Sequence, residues 1–342
     1  MSVQELEINY NQFLDKTTLL FGESGTGKSF VMVDILYQLQ PHVEQIIVIS
    51  PTDRNNHTYD GGLVPLPCIH YEITKQLLIN IWERQTALAA VYSRANKLET
   101  LRQLYAMIPN DSSAGIIESI HKKLRDFKNE ITQTDPSTAG SKIADMENEC
   151  RRLVTMIWKD AINKHRGRLQ RLALTEDQKY SLNYLNLNPR LVLIFDDCTE
   201  QLKKFKTDPV IQKLFYQGRH VYITALIACH TDKALDPELK KNAYVSFFTE
   251  ETCARCYFMK DSTSLDKEGK KRADDALKTA FTPLAKHQKL VWIRNDKNFY
   301  KYTASAHSGF RFGSQYIWDF CNRIKVDGST MAPGNKFMGE FS

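Results

Sequence analysis

The feature that most constrains this chain is the octapeptide Gly22-Glu-Ser-Gly-Thr-Gly-Lys28-Ser29 and its flanks. Leu19-Leu20-Phe21 precedes it and Phe30-Val-Met-Val-Asp-Ile-Leu-Tyr follows it, so the loop stands where a β-strand turns into a helix. That spacing curls the backbone until the N–H groups of Gly22, Glu23, Ser24, Gly25, Thr26, Gly27, Lys28 and Ser29 converge on phosphate oxygens, and the helix N-terminus adds a favourable partial charge. Lys28 is then placed to reach the β- and γ-phosphates, and Ser29 to give its hydroxyl to Mg²⁺. Alone, the loop specifies a nucleoside triphosphate, ATP or GTP.

The rest of the chain supplies a sheet for this loop to sit on. Runs at 17–21, 46–50, 191–195, 221–228 and 290–293 are apolar at nearly every position, as strands covered on both faces must be, and helical material lies between them. The expected fold is α/β: a mostly parallel, doubly wound sheet of the P-loop NTPase kind, sandwiched by helices. Its core comprises 1–75 and 186–325. Residues 76–185 carry no buried-strand pattern and are expected to form a helical insertion. Ile117, Ile120, Leu124, Phe127 and Ile131 recur at spacings of three and four, as do Ile143, Met146, Cys150, Leu153 and Ile157. The breaker cluster Thr134-Asp-Pro-Ser-Thr-Ala-Gly140 between them predicts an antiparallel hairpin, joined by an earlier helix bearing Leu98, Leu101, Tyr105 and Ile108. Residues 326–342 lack periodicity and read as a flexible tail.

A magnesium ion needs an acidic partner at the end of a buried strand. Leu191-Val-Leu-Ile-Phe-Asp196-Asp197 supplies it: Asp196 would bind Mg²⁺ through water and Asp197 would orient or deprotonate an attacking water. A second carboxylate points to hydrolysis. The run 221–228 ends in Cys229-His230-Thr231, and His230 would sense the γ-phosphate if its strand lies between those of the loop and the aspartates. Arg219 stands before that run, on a turn at the opposite edge of the sheet. From there it could reach a neighbouring subunit's phosphate rather than its own, as an arginine finger in trans.

Composition narrows the setting. The chain has 342 residues, 42% hydrophobic and 25% charged, which excludes disorder and a minimal scaffold. No apolar run approaches the roughly 20 residues of a membrane span, and the first ten residues carry acids where a signal peptide is basic, so an intracellular protein is expected. Cys253-Ala-Arg-Cys256 lacks the second pair, or a neighbouring His pair, that a structural zinc needs, so no metal or redox role is expected of it. A net charge of +6 permits a polyanionic partner.

Several segments together resemble the genome-packaging ATPases of nucleocytoplasmic large DNA viruses, the poxvirus-type branch of the FtsK–HerA translocase superfamily. They are Gly22 to Ser29, Ser50-Pro-Thr52, Phe195-Asp196-Asp197, Gly218-Arg219-His220 before its apolar run, and Leu235-Asp-Pro-Glu-Leu-Lys-Lys-Asn242 ahead of Tyr244-Val-Ser-Phe-Phe248. The resemblance covers 1–75 and 186–305. It implies ATP and Mg²⁺ as ligands, Arg219 acting in trans within a homo-oligomeric ring of five or six subunits, and double-stranded DNA moved through the ring. Viral capsid proteins would be further partners, with the host cytoplasm at the assembly site, and the virion, as location. Two features depart from the family: His230 stands where a Gln is usual, and the insertion has no counterpart in the compact core.

A translocase holds DNA phosphates with mobile cations. Lys267-Glu-Gly-Lys270-Lys271-Arg272 reads as a flexible basic loop and is the preferred contact, with Lys164-His-Arg166-Gly-Arg168-Leu-Gln-Arg171 as the other candidate. A nucleoside or nucleotide kinase and a non-enzymatic scaffold with a degenerate nucleotide site are the competing readings.

Overall fold

The computed structural model describes residues 4–109, 111–230, 235–259, 266–281, 288–296 and 298–326. Thr231 and the expected tail beyond Val326 lie outside them. The chain divides into two compact units, 1–89 with 188–342, and 90–187.

Among the described residues, the first unit is built on eight strands: β1 (Thr17–Phe21), β2 (Gln45–Ile49), β3 (Ile69–His70), β4 (Leu191–Phe195), β5 (Ile223–Cys229), β6 (Val245–Phe248), β7 (Gln288–Ile293) and β8 (Asn298–Thr303). They form one sheet in the order β3-β2-β4-β5-β1-β6-β7-β8. Pairing is parallel from β3 to β6, whereas β7 runs antiparallel to β6, and β8 to β7. The fold is therefore the α/β, mostly parallel sheet expected, with three strands more than the five apolar runs.

Alternation along the strands builds a core on each face. Leu19, Phe21, Leu193, Phe195 and Ile227 pack on one side with Leu77, Leu78 and Ile81 of the helix Lys75–Ala95. Leu20, Val192, Ile194, Leu226 and Ala228 face the other side, against Val31, Met32, Ile35 and Leu36 of α1 (Lys28–Leu39). All seven residues of β5 are buried. Beyond β8 the chain's start joins the sheet: Leu6 N–H donates to the Lys301 carbonyl (2.7 Å) and Lys301 N–H to that of Gln4 (2.9 Å).

The second unit is helical. Helices Ala114–Thr134 and Ala139–Lys164 form the expected hairpin, whose first helix buries no residue fully, so its stripe makes a two-helix seam rather than a core. A compact core does form where Leu101 and Leu104 of the helix Leu98–Ala106 meet Ala161, Ile162, Leu169, Leu182 and Leu185. The helix Glu176–Tyr184 completes it, started by a capping box in which Thr175 and Gln178 bond each other's backbone N–H.

Candidate nucleotide site

Because β1, β4 and β5 are parallel neighbours, their C-terminal ends open on one edge of the sheet, and that edge gathers the loop, both aspartates and His230. The condition set for His230 is met: β5 lies between β1 and β4.

The loop is shaped by close approach. A Cβ on Gly22 would stand 1.7 Å from Thr249 Oγ1, just past β6, so only glycine fits there. Gly27 has φ 87°, which other L-residues rarely adopt. Lys28, 5% exposed, folds back over the loop and donates to the carbonyls of Gly22 (2.9 Å) and Glu23 (2.7 Å). Glu23 N–H donates to Glu250 Oε1 (3.1 Å). Both contacts occupy groups that a phosphate would use.

Ser29 Oγ donates to Asp196 Oδ2 at 2.9 Å. Tyr59, fully buried, also places its hydroxyl 2.9 Å from Asp196 Oδ2. Burial, and then the charge of Asp197, push the Asp196 carboxyl above the usual aspartate range; the hydroxyls of Tyr59 and Ser29 and the charge of Lys28 act in the opposite direction. Burial likewise lifts the Tyr59 phenol well up, helped by Asp196. Asp196 Oδ1 is buried and has no hydrogen-bond partner among the described residues. A hard cation fits this set: an orphaned carboxylate oxygen, with a hydroxyl bonded to its twin. No cluster of three or more His, Cys, Asp or Glu side chains close enough to hold an ion occurs among the described residues, so an ion here would be completed by water and phosphate.

Asp197 takes a left-handed backbone, φ 53°, tolerable for an aspartate at a strand end. Its Oδ2 accepts from Thr52 Oγ1 (3.1 Å), and Oδ1 lies 3.4 Å from His230 Nε2. The His230 N–H donates to Thr199 Oγ1 (3.2 Å). Beside the pair is a cavity of about 330 Å³ lined by Pro51, Thr199, Gln201 and neighbouring side chains.

The loop after β2 clasps both aspartates, Thr52 on Asp197 and Tyr59 on Asp196. Asp53 folds it, accepting the N–H of Tyr59 (2.9 Å) and Asp60 (3.1 Å). Thr52 belongs to the Ser50-Pro-Thr52 segment quoted above, whereas nothing in Asn55-Asn-His-Thr-Tyr59 announces Tyr59. Lys289 of β7 was also missed: it is buried and donates to the Thr26 carbonyl at 2.6 Å.

Arg219 is elsewhere. It lies exposed on the 3-10 turn Gly218–Val221 at the start of β5, the opposite end of the strand from His230, with Nε 3.3 Å from His220 Nε2. That turn also corrects the expected start of the strand, from 221 to Ile223, because the backbone turns left-handed at Tyr222. Lys270, Lys271 and Arg272 are not in a loop but in the helix Lys267–Phe281. Asp266 caps that helix by accepting Gly269 N–H (2.6 Å), and Arg255 ties it to the helix Glu251–Met259 through Asp274 (3.0 Å). Within the helix, Lys278 pairs with Asp274 one turn earlier (2.8 Å). Lys271 and Arg272 are exposed and Lys270 is half-buried.

No protein-family model matches the chain. It is 34% identical over 355 residues to the uncharacterized protein B354L of African swine fever virus (isolate Tick/Malawi/Lil 20-1/1983), across 99% of this chain and 96% of that protein. The chain belongs to the B354L family. With 99% of the chain covered, the B354L match includes the helical unit as well as the sheet. Protein L437 of Acanthamoeba polyphaga mimivirus is 36% identical over 89 residues, 23% of this chain and 31% of that one. Among solved structures, the genome packaging NTPase B204 from Sulfolobus turreted icosahedral virus 2 in complex with ATP-gammaS is similar at a TM-score of 0.40 and 15% identity, covering 87% of this chain and 100% of that one.

Proposed function

We propose that this B354L-family protein is an ATP-hydrolysing motor that translocates double-stranded DNA and packages a viral genome into its capsid. The observation that carries the reading is the position of β5 between β1 and β4, with His230 at its site end and Arg219 at the other. The first end assembles a hydrolytic site within one chain; the second offers an arginine to another.

In this reading the N–H groups of Gly22 to Ser29 take the ATP phosphates, and Lys28 exchanges its loop carbonyls for the β- and γ-phosphate oxygens. Magnesium held by Ser29 and, through water, by Asp196 would neutralise charge on those phosphates. Asp197 accepts the proton of the attacking water, with Thr52 fixing one carboxylate oxygen and His230 beside the other. His230 also hydrogen-bonds the γ-phosphate or that water, in place of the Gln usual in the resembling family. Arg219 completes a neighbour's site, an effect of roughly 10³ to 10⁵ in rate, within the ring of five or six subunits that the family resemblance implies. Lys270, Lys271 and Arg272 contact DNA phosphates without regard to sequence. In the same reading the protein works at the virus assembly site in the host cytoplasm and in the virion, with capsid proteins as partners; the relative's viral source is in keeping with a viral chain.

The test is ATP turnover with and without duplex DNA over a salt series, for wild type and Lys28→Ala. Turnover stimulated by DNA at low salt, lost with Lys28→Ala and weakened as salt rises, is the expected result. Turnover indifferent to DNA at every salt concentration would remove the motor reading and leave an ATPase.

A further inference from the structure

We propose that Lys289 is a second phosphate-binding cation of the loop, reaching the nucleotide's phosphates from β7 alongside Lys28. The inference rests on the nucleotide-site reading above and adds a ligand to it.

Lys289 sits near the end of β7 that reaches the site, one residue before Leu290, which pairs with Phe248 of β6. The side chain is 5% exposed, and its ammonium donates to the Thr26 carbonyl. Its tip is the nearest group to the position a Cβ would take on Gly27, with Nζ at 3.6 Å and Cε at 3.9 Å. The end of the lysine thus lies against the last turn of the loop.

An ammonium has three protons, and the Thr26 carbonyl takes one. Among the described residues no carboxylate stands within ion-pair distance of Lys289. The nearby charge that acts on it is Lys28, of the same sign; burial first, and that repulsion second, favour its neutral form. Two lysines converging on one loop, each held by backbone carbonyls, form a site short of an anion. A di- or triphosphate on this loop brings several negative charges to a site that carries both ammonium groups. A structural tie between β7 and the loop needs only a donor to Thr26; the charge, buried next to a like charge, has no use in such a tie.

Glutamine and arginine separate the two roles. Lys289→Gln keeps a donor for the Thr26 carbonyl and loses the charge, while Lys289→Arg keeps both. The measurement is direct binding of a fluorescent ADP analogue, with inorganic tripolyphosphate as displacing ligand, on full-length protein whose folding is checked by its circular-dichroism melt. Lys289→Gln should weaken both ligands by about tenfold or more, with Lys289→Arg within about threefold of wild type. Unchanged affinity in a folded Lys289→Gln overturns the proposal and leaves a structural tie. If folded wild-type protein binds neither probe, the nucleotide-site reading itself falls, and this one with it. A loss in Lys289→Gln confined to the nucleotide and absent with tripolyphosphate assigns Lys289 to the base or sugar and also overturns it.

Discussion

Asp196 is an aspartate that its surroundings make reluctant to ionise, and Tyr59 is one of the groups that oppose this. Removing the Tyr59 hydroxyl takes away a hydrogen bond to the charged form, so the Asp196 carboxyl must rise further. If hydrolysis needs Asp196 ionised, as proposed, Tyr59→Phe should move the acid limb of the turnover–pH profile to higher pH, with the rate above the limb little changed. Superimposable profiles would show that Tyr59 only packs. Gly22 to Ser29 and Asp196-Asp197 were legible because each is contiguous and its chemistry depends on local spacing. Tyr59 and Lys289 were not, since each reaches the site through the fold: one by a loop that Asp53 closes, the other from a strand about 260 residues away whose lysine reads as an ordinary flank of an apolar run.

Elements of the first unit are held by polar clasps as well as apolar faces. Asp34 of α1, 2% exposed, accepts from the Tyr302 hydroxyl on β8, from Ser305 N–H (2.7 Å) and from His307 Nε2 (2.8 Å), so one carboxylate binds the helix behind the phosphate loop to the last strand of the sheet and the segment after it. Asp34→Ala strands these partners, buried or partly so, and should cost roughly 3 kcal/mol, read as a lower urea midpoint at unchanged slope. A loss below about 1 kcal/mol would mean that water replaces the carboxylate. The strands legible in the sequence were the long apolar ones. β3 has two residues, β6 has four with a serine among them, and β8 sets half-exposed Phe299, Tyr300 and Lys301 in succession, so none presents the continuous apolar run of a strand buried on both faces. The hairpin of the helical unit was legible from its stripes, whereas the small core around Leu101 and Ile162 draws on several separate segments and has no single period.

At the scale of the whole molecule, β5 sets the proposed site and the proposed trans arginine at opposite ends of one strand. If sites are shared between subunits, Arg219→Ala and Asp197→Asn should each be nearly inactive alone. Mixed one to one, they should regain about a quarter of the wild-type rate, because that fraction of interfaces pairs an intact Asp197 with an intact Arg219. No recovery in co-assembled rings, or normal turnover by Arg219→Ala alone, would place Arg219 outside catalysis. The margins of the sheet bear on how such copies can meet. On one side Gln4 and Leu6 bond to Lys301 on the outer side of β8, and on the other β3 offers two residues of backbone. Among the described residues, a second copy therefore finds little free main chain at these margins to extend. In the proposed ring, neighbours would dock through side chains, so their angle and spacing could be altered one surface residue at a time while the sheet beneath stays intact.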